Sequence, residues 1–259
     1  MKRKDYYKFT EKKVNLDNVD QVYREKFVLA GIDNPDVLDA KIEDIGDSPV
    51  CIPGQKDNLE SKDVYHYFRN NMKEILGDGE GFIFFGPKGT GKSSLAGLIL
   101  KAVIIYYKKN INVTFVDWIE YLGQYFYNTW SGKPFDVQSE AKAWIQKNMK
   151  EAKLLVIDDL GKSKRNHNSV VEHLLEVINY RNRNNLSTII TMNISLQELD
   201  QKYDDEHDRL SDRLRQVNLP VGFLGESHRL EQSKELLDKA KKRFDNLDQE
   251  KNNSGKGNN

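Results

Sequence analysis

The eight residues at positions 86–93, Gly-Pro-Lys-Gly-Thr-Gly-Lys-Ser, have the spacing of the phosphate-binding pattern G-x-x-x-x-G-K-[ST]. In such a loop the glycines let backbone N–H groups curve around an anion, and the helix that follows adds the positive end of its dipole. We therefore predict a nucleoside triphosphate site, with Lys92 on the β- and γ-phosphates and the Ser93 hydroxyl on Mg²⁺. The predicted nucleotide-binding residues are Gly86, Pro87, Lys88, Gly89, Thr90, Gly91, Lys92, Ser93 and Ser94.

A second group of polar residues follows the apolar run at positions 154–157. Four apolar residues and then two carboxylates is the pattern of a Walker B strand, which predicts that Asp158 holds the metal directly or through water. Asp159 takes the position where many ATPases have a glutamate that orients the attacking water. Aspartate is one methylene shorter, so we expect slow hydrolysis. The alternative is a strand that ends in an Asp-rich turn.

Asn193 stands at the end of the next predicted strand, positions 187–193, which ends in the polar pair Thr191 and Asn193. We predict that its side chain contacts the γ-phosphate or the attacking water. The alternative for Asn193 is an ordinary turn residue.

These residues need strands and helices to position them, and the apolar patterns supply both. We predict strands at 82–85, 110–116, 154–161, 187–193 and 217–223, and helices at 61–76, 94–107, 139–150, 168–184, 195–216 and 226–244. Alternating strands and helices predict an α/β fold, a P-loop NTPase with a parallel sheet flanked by helices. Because ligands bind at the carboxyl ends of parallel strands, the loop, the two aspartates and Asn193 are expected at one edge.

The composition narrows the class of protein. The 259 residues suit one α/β domain with small appendages, and 40 basic residues balance 40 acidic ones, so overall charge predicts no polyanionic partner. The single cysteine excludes an intramolecular disulfide and a cysteine-ligated zinc cluster. No apolar run approaches the about 18 residues of a membrane span and no signal peptide is evident, so we expect a cytoplasmic protein without membrane contact.

The order of the motifs resembles that of the DnaC/DnaI/IstB branch of the AAA+ ATPases, over roughly residues 60–235. The segments that carry this resemblance are 86–93, 154–161, Thr191-Met192-Asn193, Asp212-Arg213-Leu214 and Ser227-His228-Arg229-Leu230. The resemblance implies a protein that binds and hydrolyses ATP with Mg²⁺, self-associates side by side, and loads a replicative hexameric helicase onto single-stranded DNA. It also implies that Asn193 is sensor 1, Arg213 the arginine finger and Arg229 sensor 2.

Two other functions remain open. One is the ATP-dependent partner of a transposase, as in IstB-like proteins, and the other is a nucleotide-gated DNA-binding scaffold with negligible hydrolysis. The expected division is an N-terminal extension at 1–55 that docks a partner or is partly disordered, an AAA+ ATPase domain at 56–245, and a flexible tail at 246–259.

An unusually aromatic segment at 117–136 falls where relatives in this branch carry a helical insertion that contacts single-stranded DNA. Tyr125 and Trp130 offer faces on which bases stack, and Lys133, Lys164 and Arg165 offer charges for phosphates. The alternative is that most of these aromatic rings pack into the core.

Overall fold

The computed structural model describes residues 21–55, 59–108, 110–129, 132–161, 168–202, 209–227, 237–241 and 243. Its strands are β1 (Pro49–Cys51), β2 (Leu59–Glu60), β3 (Gly81–Phe85), β4 (Val113–Asp117), β5 (Leu154–Leu160), β6 (Ser187–Met192) and β7 (Asn218–Phe223). Its longer helices are α1 (Gln21–Leu29), α4 (Ser61–Asn70), α5 (Met72–Asp78), α6 (Lys92–Tyr106), α7 (Trp118–Thr129), α8 (Phe135–Trp144) and α9 (Asn168–Arg183). The shorter helices include α2 (Pro35–Leu38), α3 (Ile42–Ile45), α10 (Leu196–Lys202) and α11 (Arg209–Arg215).

Within these residues the strands form one sheet in the order β2-β1-β7-β3-β6-β5-β4. The five strands from β7 to β4 pair in parallel, which confirms the predicted parallel sheet. The ribbon of β1 and β2 was not predicted: β1 pairs antiparallel with both β7 and β2, so the complete sheet is mixed.

The two faces of the sheet bury different apolar clusters, because successive side chains of a strand point to opposite sides. Phe82 and Phe84 of β3 join the cluster that contains α6 and α4, whereas Ile83 joins the cluster that contains α7, α9 and α11. The helices therefore cover both faces of the sheet. The predicted site residues lie at the edge formed by the carboxyl ends of the parallel strands.

The described part of the predicted N-terminal extension packs on α6. Val37 lies so close to Gly97 that a Cβ on this glycine would come within 2.3 Å of the Val37 Cγ1. The buried Lys101 ammonium of α6 donates to the carbonyl oxygens of Val37, Leu38 and Ala40 at 3.0–3.2 Å. The boundary at residue 55 stays a prediction, but residues 21–55 share the core of the nucleotide-binding unit.

Several predicted helices differ in detail. The helix expected at 61–76 is divided at Asn71 into α4 and α5. The helix expected at 139–150 begins earlier, as α8, and ends in a π-helical segment (Ile145–Lys150). The region expected as one helix at 195–216 contains α10 and α11, and most of 226–244 lies outside the described residues. In the described part of the chain, no helix is long and apolar enough to cross a membrane.

The buried guanidinium of Arg181 joins the π-helical segment to the sheet. It donates to the carbonyl oxygens of Met149, Ala152 and Ser187, the first two at 3.0 and 2.9 Å, and to the Thr188 hydroxyl at 2.9 Å. One cation thus satisfies carbonyl groups just before β5 and at the first residue of β6, and it joins the starts of two neighbouring strands.

Candidate nucleotide-binding site

Three strand ends meet at one edge of the sheet. Strand β6 lies between β3 and β5, and Phe85 of β3 and Leu160 of β5 both pair with Met192 at the end of β6. The loop after β3 contains residues 86–91, the end of β5 carries Asp158 and Asp159, and Asn193 directly follows β6. The structure therefore brings together the three groups that the sequence predicted to lie at one edge.

The loop between β3 and α6 depends on glycines at two crowded turns. Gly86 has φ +132°, and a Cβ there would come within 2.3 Å of the Phe223 carbonyl oxygen at the end of β7. Gly89 has φ +80°, and a Cβ there would lie 2.1 Å from the Ser227 Oγ. Both positions combine a left-handed backbone with a close neighbour, so a larger residue would change the path of the loop.

Lys92 begins α6 and points back into the loop. Its ammonium group donates to the carbonyl oxygens of Gly86 at 3.0 Å and Pro87 at 2.5 Å. Burial lowers the pKa of Lys92 to about 8, although the carboxylates of Asp159 and Asp158 act in the opposite direction. This buried ammonium already donates to oxygen atoms within the loop. It is therefore placed to donate to the oxygen atoms of an anion that binds there.

Asp158 lies beside the start of α6. Its side chain is 7% exposed and accepts hydrogen bonds from the hydroxyls of Thr191 and Ser93. Burial raises the pKa of Asp158, and the nearby carboxylates of Asp159 and Asp117 add to the rise, whereas the two hydroxyls oppose it. A buried carboxylate whose negative charge is disfavoured in this way gains stability when a cation binds it.

Asp159 has an unusual backbone conformation. Its φ is +57°, and the register of β5 against β6 shifts between Ile157 and Leu160, so the acidic pair sits in an irregularity of the ladder. The Asp159 amide donates to the Thr191 hydroxyl at 3.0 Å, and the Asn193 side-chain amide donates to the Asp159 carboxylate at 2.7 Å. Asp158, Asp159, Thr191 and Asn193 are therefore one connected cluster.

The residues present suit Mg²⁺, which binds proteins through one or two carboxylates together with substrate phosphates. Ser93 and Asp158 provide hard oxygen atoms side by side. The hydrogen bonds given for the buried Asp158 carboxylate come from the neutral hydroxyls of Thr191 and Ser93. Among the described residues no group of three or more His, Cys, Asp and Glu forms a metal cage. A magnesium ion at this position would take its remaining ligands from phosphates and water.

The other predicted nucleotide contacts occupy the outer part of the loop. Pro87 and Lys88 are exposed, Ser94 is half-buried, and the buried Thr90 hydroxyl donates to the Pro87 carbonyl oxygen at 2.9 Å. Thr90 therefore shapes the loop from inside, while Lys88 faces solvent.

The two predicted arginines are placed differently. Arg213, on α11, is exposed; its guanidinium donates to the Gln216 side-chain oxygen at 3.3 Å, and its carbonyl oxygen accepts from Asn182 of α9. Arg229 lies outside the described residues, so its role as sensor 2 stays a prediction. The same holds for Arg213 as an arginine finger.

The aromatic segment at 117–136 divides into buried and exposed parts. Trp118 and Tyr121 are buried, and the Tyr125 ring stacks on the buried His173 ring with centroids 4.1 Å apart. Tyr125 also lines a cleft of about 300 Å³ between α7 and α8. For Trp118 and Tyr121, packing in the core is the correct interpretation.

The outer part of this segment carries an exposed aromatic ring and a lysine beside it. Tyr127 is 63% exposed, and the Lys133 ammonium lies 3.4 Å from the centroid of its ring. Trp130, Lys164 and Arg165 lie outside the described residues. The DNA contacts predicted for Tyr125, Trp130, Lys133, Lys164 and Arg165 stay predictions.

The sequence placed Thr191 at this edge together with Asn193 but assigned no chemical role to it, and Asp117 was not predicted to act here. Thr191 bonds both aspartates, and Asp117 at the end of β4 accepts from the amides of Ile119 and Glu120, which caps α7. A polar residue at the end of a buried strand was the available signal for both.

The chain is similar to known proteins in sequence and in fold. The family model described as "IstB-like ATP binding protein" matches residues 73–236. No protein with a curated description matches the chain. A solved structure of a "putative primosome component" from Streptococcus pyogenes serotype M3 is similar over 81% of this chain and 99% of its own, with 18% identity and a TM-score of 0.55.

Two further solved structures are similar. Domain III of the Thermotoga maritima replication initiation protein DnaA shares 20% identity over 74% of this chain and 68% of its own, with a TM-score of 0.51. The DnaC helicase loader shares 20% identity over 66% of this chain and 95% of its own, with a TM-score of 0.49. At these identities the primosome component and DnaA domain III show only that the fold is shared, and this shared fold confirms the α/β P-loop architecture.

The matched segment covers more than half of the chain and includes every described element from α5 to β7 apart from the first residue of α5. The chain therefore belongs to the IstB-like ATP-binding family, and the predicted membership of the DnaC/DnaI/IstB branch of AAA+ ATPases is confirmed.

Proposed function

We propose that this IstB-like protein is an ATPase whose nucleotide site is the edge formed by β3, β6 and β5. The observation that carries the proposal is the hydrogen-bonded cluster of Asp158, Asp159, Ser93, Thr191 and Asn193, whose two carboxylates favour the charged form of the Lys92 ammonium. A cation for phosphates, oxygen ligands for a metal and a carboxylate for water are the parts that phosphoryl transfer needs.

Each side chain takes a role that follows from its position. Lys92 exchanges the carbonyl oxygens of Gly86 and Pro87 for phosphate oxygens when ATP binds. Ser93 and Asp158 would hold Mg²⁺, which would neutralise phosphate charge. Asp159, oriented by the Asn193 amide, accepts a proton from the attacking water. Because the aspartate is shorter than the usual glutamate, turnover is slow. Stimulation of turnover by DNA or by a protein partner is a separate part of this proposal.

The biological task that we propose is the loading of a replicative hexameric helicase onto single-stranded DNA. This choice rests on the order of the motifs, in which Asp212-Arg213-Leu214 and Ser227-His228-Arg229-Leu230 follow the phosphate loop and the acidic pair. Self-association belongs to the same proposal, because an exposed Arg213 can complete the active site of a neighbouring subunit. Partnership with a transposase is the second candidate, and it is supported by the family to which residues 73–236 belong.

Nucleotide binding is tested first, by titrating the protein with a fluorescent ATP analogue. Lys92→Ala is expected to weaken binding at least about 100-fold, since one charge-assisted hydrogen bond contributes about 1.5–3 kcal/mol and this lysine reaches two phosphates. Lys142→Ala, which removes an exposed lysine of α8, is the matched control and should bind like the wild type. Near-normal affinity in a folded Lys92→Ala protein would exclude this edge as the nucleotide site.

Hydrolysis is tested with Asp159→Asn, which keeps the shape and removes the base. We expect ATP and Mg²⁺ to remain bound while turnover falls by about 10²–10⁴-fold, the usual contribution of a general base. Unchanged turnover would assign the water-orienting role to another group. A wild-type protein that binds ATP but shows no turnover with DNA and partner present would favour the nucleotide-gated scaffold.

The partner is tested by capture of purified proteins on immobilised wild-type chain with ATP. Retention of the host's replicative helicase, and its loss with Lys92→Ala, is the expected result. Retention of a transposase in place of the helicase would overturn the assignment of the task while leaving the ATPase site intact.

A further inference from the structure

Thr191 is the residue of β6 whose side chain touches both aspartates. Its hydroxyl accepts the Asp159 amide hydrogen at 3.0 Å and donates its own hydrogen to a carboxylate oxygen of Asp158. A hydroxyl has one hydrogen to donate, and an amide N–H can act only as a donor. The direction of both bonds is therefore fixed, and the Thr191 hydrogen has to point at Asp158.

The Asp159 amide makes this bond where the strand ladder is irregular. Between Ile157 and Leu160 the pairing of β5 with β6 shifts, and Asp159 has a φ of +57°, a conformation that non-glycine residues seldom adopt. At this position the amide bonds to a side chain of the neighbouring strand, and Thr191 itself is only 1% exposed.

The irregularity has a chemical consequence. In a regular strand the side chains of positions 158 and 159 point to opposite faces of the sheet. Here Thr191 bonds the Asp158 carboxylate and Asn193, two residues further along the chain, bonds the Asp159 carboxylate. The backbone conformation that Thr191 supports is therefore the one in which two consecutive carboxylates are held together at this edge.

From this geometry we infer that Thr191 is a positioning residue, which holds the Asp158 carboxylate and the Asp159 backbone in the arrangement that binds a divalent cation beside the nucleotide. The inference rests on the proposed nucleotide site and adds a residue that acts through Asp158 and Asp159. With one Asp158 oxygen occupied by Thr191, the carboxylate cannot rotate freely, and its remaining lone pairs keep a fixed direction beside Ser93.

The test compares Thr191→Val with Thr191→Ser. Valine keeps the shape and removes the hydroxyl, whereas serine keeps the hydroxyl. The readout is the Mg²⁺ concentration that gives half of the metal-dependent signal of a bound fluorescent ATP analogue, and the affinity for the analogue is measured separately in EDTA. A matched control is Thr114→Val on β4, because the buried Thr114 hydroxyl has no hydrogen-bond partner among the described residues.

We expect Thr191→Val to raise the half-saturating Mg²⁺ concentration about 10–100-fold, which is the usual loss when a group that orients a metal ligand is removed. Affinity in EDTA should stay within about twofold, because Lys92 and its loop are unchanged. Thr191→Ser should restore Mg²⁺ dependence to within about threefold of the wild type, and Thr114→Val should not alter it.

Wild-type Mg²⁺ dependence in a folded Thr191→Val protein would overturn the inference. So would a loss of nucleotide affinity in EDTA as large as the rise in half-saturating Mg²⁺ concentration, because that result indicates a general structural defect. If the valine variant does not fold, Thr191→Ala, which leaves room for water at the Asp159 amide, is measured with the same criteria. A wild-type protein that binds no nucleotide in EDTA or Mg²⁺ would instead refute the proposed site itself, so the two failures are distinguishable.

Discussion

Acidification is expected to destabilise the protein through His173, which joins α7 to α9. The side chain is 5% exposed, its Nε2 lies 2.5 Å from the Tyr121 hydroxyl oxygen, and its ring stacks on Tyr125. The Glu176 carboxylate lies 3.9 Å from Nδ1 and favours the tautomer with its hydrogen on that atom, which leaves Nε2 to accept from the Tyr121 hydroxyl. Protonation of Nε2 would turn this acceptor into a second donor.

The size of the effect follows from the pKa of His173. Burial lowers this pKa to about 4, with Glu176 raising it and Lys150 lowering it further. In the unfolded chain the pKa is about 6.5, so between these values the unfolded state binds more protons and stability falls as the pH falls. At pH 5 the linkage relation gives a loss of about 2 kcal/mol relative to pH 7.5, and the loss continues to about pH 4.

The assay is urea unfolding at pH 7.5 and pH 5.0 for the wild type and for His173→Gln. Glutamine does not titrate, and its side-chain oxygen still accepts from the Tyr121 hydroxyl. Other groups titrate alike in both proteins, so the difference between the two pH effects isolates His173. The free energy of unfolding of the wild type should fall by about 2 kcal/mol more than that of His173→Gln.

Equal losses in the two proteins would refute this reasoning, because His173 would then have the same pKa in the folded and unfolded chains. A larger loss in His173→Gln would also contradict it. The control for the variant is its stability at pH 7.5, where His173 is neutral in both states and only the change of packing contributes.

Three other predictions concern stability, assembly and DNA. Arg181→Leu should lower the free energy of unfolding by more than about 3 kcal/mol in urea titrations, because several buried carbonyl oxygens lose their donor. Lys92→Ala and Arg213→Ala should each be inactive alone and regain some ATPase activity when mixed, and no recovery would leave Arg213 as a surface residue. Trp130→Ala with Lys133→Ala should weaken single-stranded DNA binding at low salt, with unchanged gel shifts as the contrary result.

The sequence was sufficient to predict the parallel strands and the edge at which they end. Strands such as β3 and β5 begin as short apolar runs, and a buried parallel strand needs little more than that pattern. The phosphate loop was predictable because its glycines follow a fixed local spacing and adopt left-handed turns, as Gly86 and Gly89 do. The patterns that reveal these features lie within a few residues, although the neighbours that crowd the two glycines are distant in the chain.

Features that depend on distant pairing were missed. Strands β1 and β2 contain three and two residues, too few for a periodic pattern, and β1 exists because it pairs with β7, some 170 residues later in the chain. The conformation of Asp159 could not be predicted from neighbouring residues either. Its φ of +57° is usually adopted by glycine, and here Thr191 of another strand stabilises it. Tertiary contacts decide both cases.

The apolar helix α6 contained a signal for the missed role of the N-terminal residues. Leu95, Leu98 and Ile99 form the face that spacing predicts, but Leu100 and Ile104 on other sides of the helix are also completely buried. A helix that is apolar all round has to be covered on every side. The sheet covers one side of α6, so another segment of the chain had to cover the rest.

Lys101 and Gly97 identify that segment as residues 35–46. A lone lysine within an apolar helix needs backbone acceptors, and it finds them at the end of α2, while Gly97 admits Val37 at close contact. The same segment continues to Ile45, whose Cβ would lie 3.1 Å from a Cβ added at Gly91 of the phosphate loop. A partner that displaced residues 35–46 would therefore remove packing from the phosphate loop and from α6 together, so this segment belongs physically to the nucleotide site.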